Sequence, residues 1–166
     1  MAGEAGNTDR LLRATQLVQC SPPKDHTSAA AVTEWVSLKG YGHCTFYILT
    51  GAWAAGTAAV TLNEAPLVSG VGTQALAFNN MFTNDAAPTS PLLVETAVAS
   101  DTFNVDTALS TYVIEVDASE LTEGFDCLNC AIASPGANTD LYTLFAVLSE
   151  PRYSPAVGSQ VSSVMD

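Results

Sequence analysis

His43-Cys44-Thr45-Phe46-Tyr47-Ile48-Leu49-Thr50 is the run that decides the fold. His43, Thr45, Tyr47 and Leu49 alternate with Cys44, Phe46, Ile48 and Thr50. Successive side chains of a strand point to opposite faces, so this period of two, rich in β-branched and aromatic residues, predicts a β-strand. Thr111–Asp117 repeats the pattern. There Tyr112, Ile114 and Val116 oppose Val113, Glu115 and Asp117, as in a half-buried strand.

Outward from these two, further strands are expected over Thr33–Leu38, Thr57–Asn63, Gln74–Phe78, Leu92–Val98, Phe125–Ala133 and Leu141–Ser149. Turn signals stand between them: Gly70 with Gly72, Asn84-Asp85, Glu123-Gly124 and Ser134-Pro135-Gly136. About eight short strands with no long helical period predict an all-β fold, an antiparallel, jelly-roll-like β-sandwich. A chain of 166 residues fits one such domain and buries a core without disulfide staples. The expected organisation is an N-terminal arm over 1–31, the sandwich over 32–154 and a C-terminal tail over 155–166. In the arm, Leu11, Leu12, Thr15 and Val18 make a thin apolar side over Asp9–Val18. A short helix capped by Asn7–Thr8 and an extended arm both fit that segment.

Charge narrows the function. Lys and Arg number 5 against 17 Asp and Glu, a net charge of -12. The basic residues are Arg10, Arg13, Lys24, Lys39 and Arg152, with none between Lys39 and Arg152. A nucleic-acid binder needs clustered cations to displace counterions from phosphates, so no nucleic acid is expected as a partner. An anionic membrane surface is excluded on the same ground. Apolar residues at 48% are too many for a disordered acidic tail, and charged residues at 13% too few for a typical cytosolic enzyme surface. The start of the chain lacks a signal-peptide core and no apolar stretch is long enough to cross a bilayer. Cys20, Cys44, Cys127 and Cys130 are accordingly expected to be reduced.

The motifs that carry chemistry elsewhere read as structure. Cys127-Leu128-Asn129-Cys130 falls in a strand candidate, where residues three apart face opposite ways; a redox pair needs a helix N-terminus and a zinc site a knuckle. Gly70-x-Gly72-x-x-Ala75 lacks the strand and helix that a dinucleotide fingerprint needs, and reads as a glycine turn. Adjacent His43 and Cys44 face opposite sides of a strand and cannot form a dyad. His26 lies in a Pro-flanked linker with no predicted partner. Asp117, Glu120, Glu123 and Asp126 read as solvated turn residues, with a calcium site as the sharper alternative. No catalytic, cofactor-binding or metal residue is expected, and no enzyme. Trp35, Tyr41, Phe46, Tyr47 and Trp53 suit a sandwich core; Trp53, in an Ala/Gly turn, is expected to be exposed as an interface anchor.

Several blocks carry a family resemblance: Glu34–Phe46, Gly56–Leu62, Gly70–Phe78, Tyr112–Ser119, Gly124–Cys127 and Leu148–Tyr153. In this order they resemble a small family of tailed-bacteriophage head proteins of the decoration or cement type, over about residues 32–154. The resemblance implies a virion component, made in the host bacterial cytoplasm and placed on the phage head exterior. Its implied partners are the major capsid protein and further copies of the chain, as a dimer or trimer. A head–tail connector or tail component, and a carbohydrate-binding sandwich displayed on the particle, are the alternatives. Arg10, Arg13 and Lys24 are then the interface cations, reaching onto a neighbour from the arm.

Overall fold

Alternation in the sequence becomes alternation between core and surface. The computed structural model describes residues 14–26, 30, 33–85, 89–99, 101–136 and 139–152. Its strands are β1 (Gln16–Asp25), β2 (Val36–Ser37), β3 (Tyr41–Trp53), β4 (Ala58–Ala65), β5 (Gln74–Leu76) and β6 (Asn80–Asn84). β7 (Val94–Ala97), β8 (Thr102–Val105), β9 (Thr111–Asp117), β10 (Cys127–Ile132) and β11 (Asp140–Pro151) follow, with one 3-10 turn at Ala118–Glu120. A six-stranded sheet runs β1-β11-β3-β9-β6-β7 and a second sheet runs β2-β10-β4-β5, with β8 also on β4. All pairings are antiparallel. The protein is an all-β antiparallel sandwich.

The core lies between the sheets. Cys44, Phe46 and Ile48 of β3, Tyr112, Ile114 and Val116 of β9, and Leu144, Ala146 and Leu148 of β11 face it from one side. Val60 and Leu62 of β4 with Leu128, Cys130 and Ile132 of β10 meet them from the other. Burying such side chains stabilises a fold by about 1.5–3 kcal/mol each, which makes their spacing the strongest structural constraint in the chain.

Every strand expected from the pattern is present, and three more join them: β1, β6 and β8. The strand count of about eight is corrected to eleven among the described residues. The boundary of the arm is also corrected. Gln16–Asp25 pairs with β11 along its length and sends Val18 and Cys20 into the core, so the sandwich begins at β1 and not at residue 32. Asp9–Val18 is therefore not one helix, since Gln16–Val18 is strand. Its alternation was obscured by Pro22 and Pro23, which sit where β1 bulges and at an edge that tolerates missing N–H groups. The remainder of the arm at 1–13 and the tail at 155–166 lie outside the described residues.

A buried carboxylate ties the second sheet to the connection after β9. Glu64, 1% exposed, accepts hydrogen bonds from the Gln74 amide at 2.6 Å, the Thr122 hydroxyl at 2.5 Å and the Thr122 N–H at 2.9 Å. Gly70 takes a positive φ of 71° in the turn before β5, and a Cβ there would stand 2.7 Å from the Trp35 indole nitrogen. The glycine pair is thus a turn, with Gly70 against Trp35 and Gly72 beside Pro66.

Candidate interaction surface

The outward face of the six-stranded sheet is apolar where the strands are deepest in the sheet. Registers across it set Gln19, Phe145, Tyr47, Val113, Phe82 and Glu95 in one row, one residue from each strand. Polar ends flank four apolar positions, which on neighbouring strands span about 15 Å. Tyr47 and Phe145 stack with centroids 5.1 Å apart and planes 11° from parallel. The row Thr143, Leu49, Thr111 and Asn84 lies beside it, and Leu17, Val147, Thr45 and Glu115 on its other side. Leu17 and Leu49 are exposed. An apolar centre inside a polar rim is the anatomy of a protein interface.

Carboxylates form much of that rim. His43 reaches across to the next strand, with Nδ1 3.0 Å from Asp117 Oδ1 and Nε2 3.8 Å from Glu115 Oε1. Its neighbour Cys44 turns into the core, so the strand separates the two as its period demands. Glu95 accepts a hydrogen bond from Asn80 at 2.6 Å. A partner for this face carries basic groups around an apolar centre.

The residues singled out in the sequence scatter over the molecule. Arg10 and Arg13 lie outside the described residues, and Lys24 is exposed on the β1 edge. Trp53 is corrected: it is half-buried, packs on the core near Tyr142 and donates its indole N–H to Gly56 O at 3.0 Å. It is therefore no exposed anchor. Phe46 is core, whereas Tyr47 points outward into the row above. Lys39 and Arg152, from the two ends of the stretch without basic residues, line one cleft of about 180 Å³ with Leu38, Leu121, Phe125 and Asp126. Lys39 stands 3.7 Å from Asp126 there.

Cys127 and Cys130 occupy opposite faces of β10: Cys130 belongs to the core, and Cys127 donates from the other side to Asp126 at 3.1 Å. All four cysteines are buried. Burial pushes the Cys20 thiol up to about 12, and burial likewise raises Cys44, with Cys20 and Cys130 adding to it, and Cys130, with Cys20 adding to it. Such thiols are poor nucleophiles and poor metal ligands. Glu120 accepts from the Asp117 N–H at 2.9 Å, a capping role. Among the described residues no three His, Cys, Asp or Glu side chains gather as a metal-ligand set.

Sequence reading missed a buried polar group at the end of β1. His26, 2% exposed, stacks on Tyr142 at 3.8 Å and 15°. Its Nε2, Ser21 Oγ and Asp140 Oδ2 are buried without hydrogen-bond partners among the described residues, so the three are not wired as a nucleophilic relay. Burial lowers the pKa of His26, Lys24 lowers it further and Asp25 opposes both. Only the β1–β11 pairing brings these residues together, which no local pattern reveals.

Fold and surface together define a β-sandwich with one broad, partly apolar sheet face turned outward. No protein-family model, curated protein or solved structure matches the chain.

Proposed function

We propose that this chain is a non-enzymatic structural protein that docks through the outer face of its six-stranded sheet, and that it decorates and cements the exterior of a tailed-phage head. The observation that carries the docking role is the Phe145–Tyr47–Val113–Phe82 row across four adjacent strands, apolar and turned away from the core, with Val113 buried and Phe145, Tyr47 and Phe82 half-buried. The phage setting is supported by the sequence blocks between residues 32 and 154, and the net charge of -12 suits a position away from packaged DNA. The major capsid protein is the partner that this reading calls for, with basic groups facing Glu95, Glu115 and Asp117. A place at the head–tail junction would use the same face and differ only in address.

Heads assembled without the protein provide the test, by co-sedimentation with purified chain. The double variant Tyr47→Ala, Phe145→Ala removes the stacked pair from a half-buried site and should weaken attachment at least about tenfold, since an interface aromatic is often worth more than about 1 kcal/mol. Its circular dichroism should match the parent, and its melting should stay cooperative at a somewhat lower temperature, since the cross-strand stack is lost. Equal binding by the variant would remove the docking face. In images of the particle, density over capsomer junctions would support cementing, and density at the tail alone would remove the head reading.

A further inference from the structure

Among the described residues, four of the five strands that border the two sheets are blunted against pairing. β1 carries Pro22, Pro23 and Lys24 and shifts register twice. β2 has two residues and β5 three. β8 is held between Asp101 and Asp106. Prolines, charges, irregular register and short length are the devices that keep sheet edges from joining. β7 borders the six-stranded sheet with fewer of them: it is four residues long and carries one charge, but its register does not shift. It has no Pro or Lys, its one charge is Glu95, and its pairing runs on to Val98, whose N–H donates to Asn79 O at 2.7 Å. Leu92, Leu93 and Val94 at its start are 69%, 49% and 59% exposed.

We propose that β7 is where two copies of this chain pair, edge to edge and antiparallel about a two-fold axis. The inference rests on strand geometry alone and is independent of the virion reading. In the antiparallel ladder, hydrogen-bonded and non-bonded residue pairs alternate. The bond from Val98 to Asn79 makes that pair a bonded one, so Thr96 and Val94 likewise turn their backbone groups inward to β6. Glu95 and Ala97 then turn theirs to the open edge.

A second β7 satisfies those groups in one register with little conflict. If Glu95 of each copy faces Ala97 of the other, Thr96 meets Thr96 on the axis and Val94 meets Val98 on both sides. Shifting by two residues would set Glu95 against Glu95, a like-charge pair that destabilises a sheet. The preferred register pairs valines with valines and keeps the two glutamates diagonal, about 7–8 Å apart. A two-fold contact of this kind closes on itself and gives a dimer, not an open chain. Residual repulsion between the glutamates makes the dimer tighten as salt rises, whereas capsid attachment through carboxylates weakens.

Sedimentation of the full chain over a range of concentrations tests this. The parent should approach the dimer mass, and Ala97→Pro, which deletes an N–H aimed at the partner and spares the β6 ladder, should sediment as a monomer. Mild oxidation of Thr96→Cys should give a covalent dimer, because residues facing each other on the axis stand about 4.5 Å apart between Cα atoms. Val94→Cys should not, since the two residues 94 are four positions out of step, about 13 Å, beyond disulfide reach. The native cysteines are buried and do not compete. A parent that stays monomeric at hundreds of micromolar overturns the proposal, as does a dimer that survives Ala97→Pro or crosslinks equally through residue 94. Should Ala97→Pro fail to fold, the contrast between the two cysteine variants decides alone.

Discussion

Glu64 sits at the buried end of β4 with donors on both oxygens, and its charge is what they hold. Burial alone would raise its pKa, but the hydrogen bonds from Gln74 and Thr122 outweigh burial and keep it below the ordinary value. A carboxyl whose pKa is depressed on folding contributes stability above its unfolded pKa and loses it as pH falls through the folded one. Glu64→Gln turns an amide NH2 toward existing donors and should cost about 1–3 kcal/mol in urea melts at pH 7. The cost should shrink in acid, where Glu64 of the parent is itself protonated. His26 runs the other way. Its pKa is lowered by burial, then by Lys24, so the unfolded chain takes up a proton more readily than the folded one. Its contribution is complete above about 6.5 and lost as pH falls toward the folded pKa. His26→Phe keeps a ring against Tyr142, and melts of the two proteins should converge between pH 7 and 5 as the parent weakens. A constant gap between the curves would mean that His26 does not titrate on unfolding.

At the scale of elements, β1 is where the local and the tertiary readings part. Its letters read as a linker, with two prolines and a thin apolar side, yet it covers β11 and supplies Val18 and Cys20 to the core. Deleting residues 2–25 should therefore expose the β11 edge and abolish cooperative melting. Deleting 2–13 removes none of the described strands and should leave the transition within a few degrees of the parent. Strands β6 and β8 escaped detection for a related reason. Asn80–Asn84 and Thr102–Val105 are short and half polar, and they are strands because β9 and β4 offer them a ladder. By contrast β9 was legible in all but one residue: Tyr112, Ile114 and Val116 each bury on one face and Glu115 and Asp117 stay out, while Val113 is buried although it lies on the outward side. Full burial on one face leaves an alternating signature; marginal strands at a rim do not.

Over the whole molecule the excess of acid is a cost to the compact state. Seventeen acidic residues against five basic ones repel more strongly in the folded chain than in the expanded one. Raising sodium chloride from about 10 to 150 mM at pH 7 shortens the screening length from about 30 to 8 Å and should raise the melting temperature. A melting point indifferent to salt would show that the carboxylates are already spaced beyond each other's reach.

What the sequence determined by itself is the class of fold and the inner face of its main strands. Period two is a local property, and only one alignment of Cys44, Phe46 and Ile48 with a core is possible once the strand forms. The same reasoning, with a strand's opposed faces, separated Cys127 from Cys130 and His43 from Cys44. Only the tertiary structure decided which outward residues become neighbours. Phe145, Tyr47, Val113 and Phe82 lie far apart in the chain and form one row because four strands pair in a particular register. Lys39 and Arg152 share a cleft, and His26 is buried on Tyr142, for the same reason. Trp53, expected in a turn, ends β3 and draws its burial from β11, where Tyr142 lies beside it. Local periodicity tells a residue which way it faces, and strand pairing alone tells it what it faces.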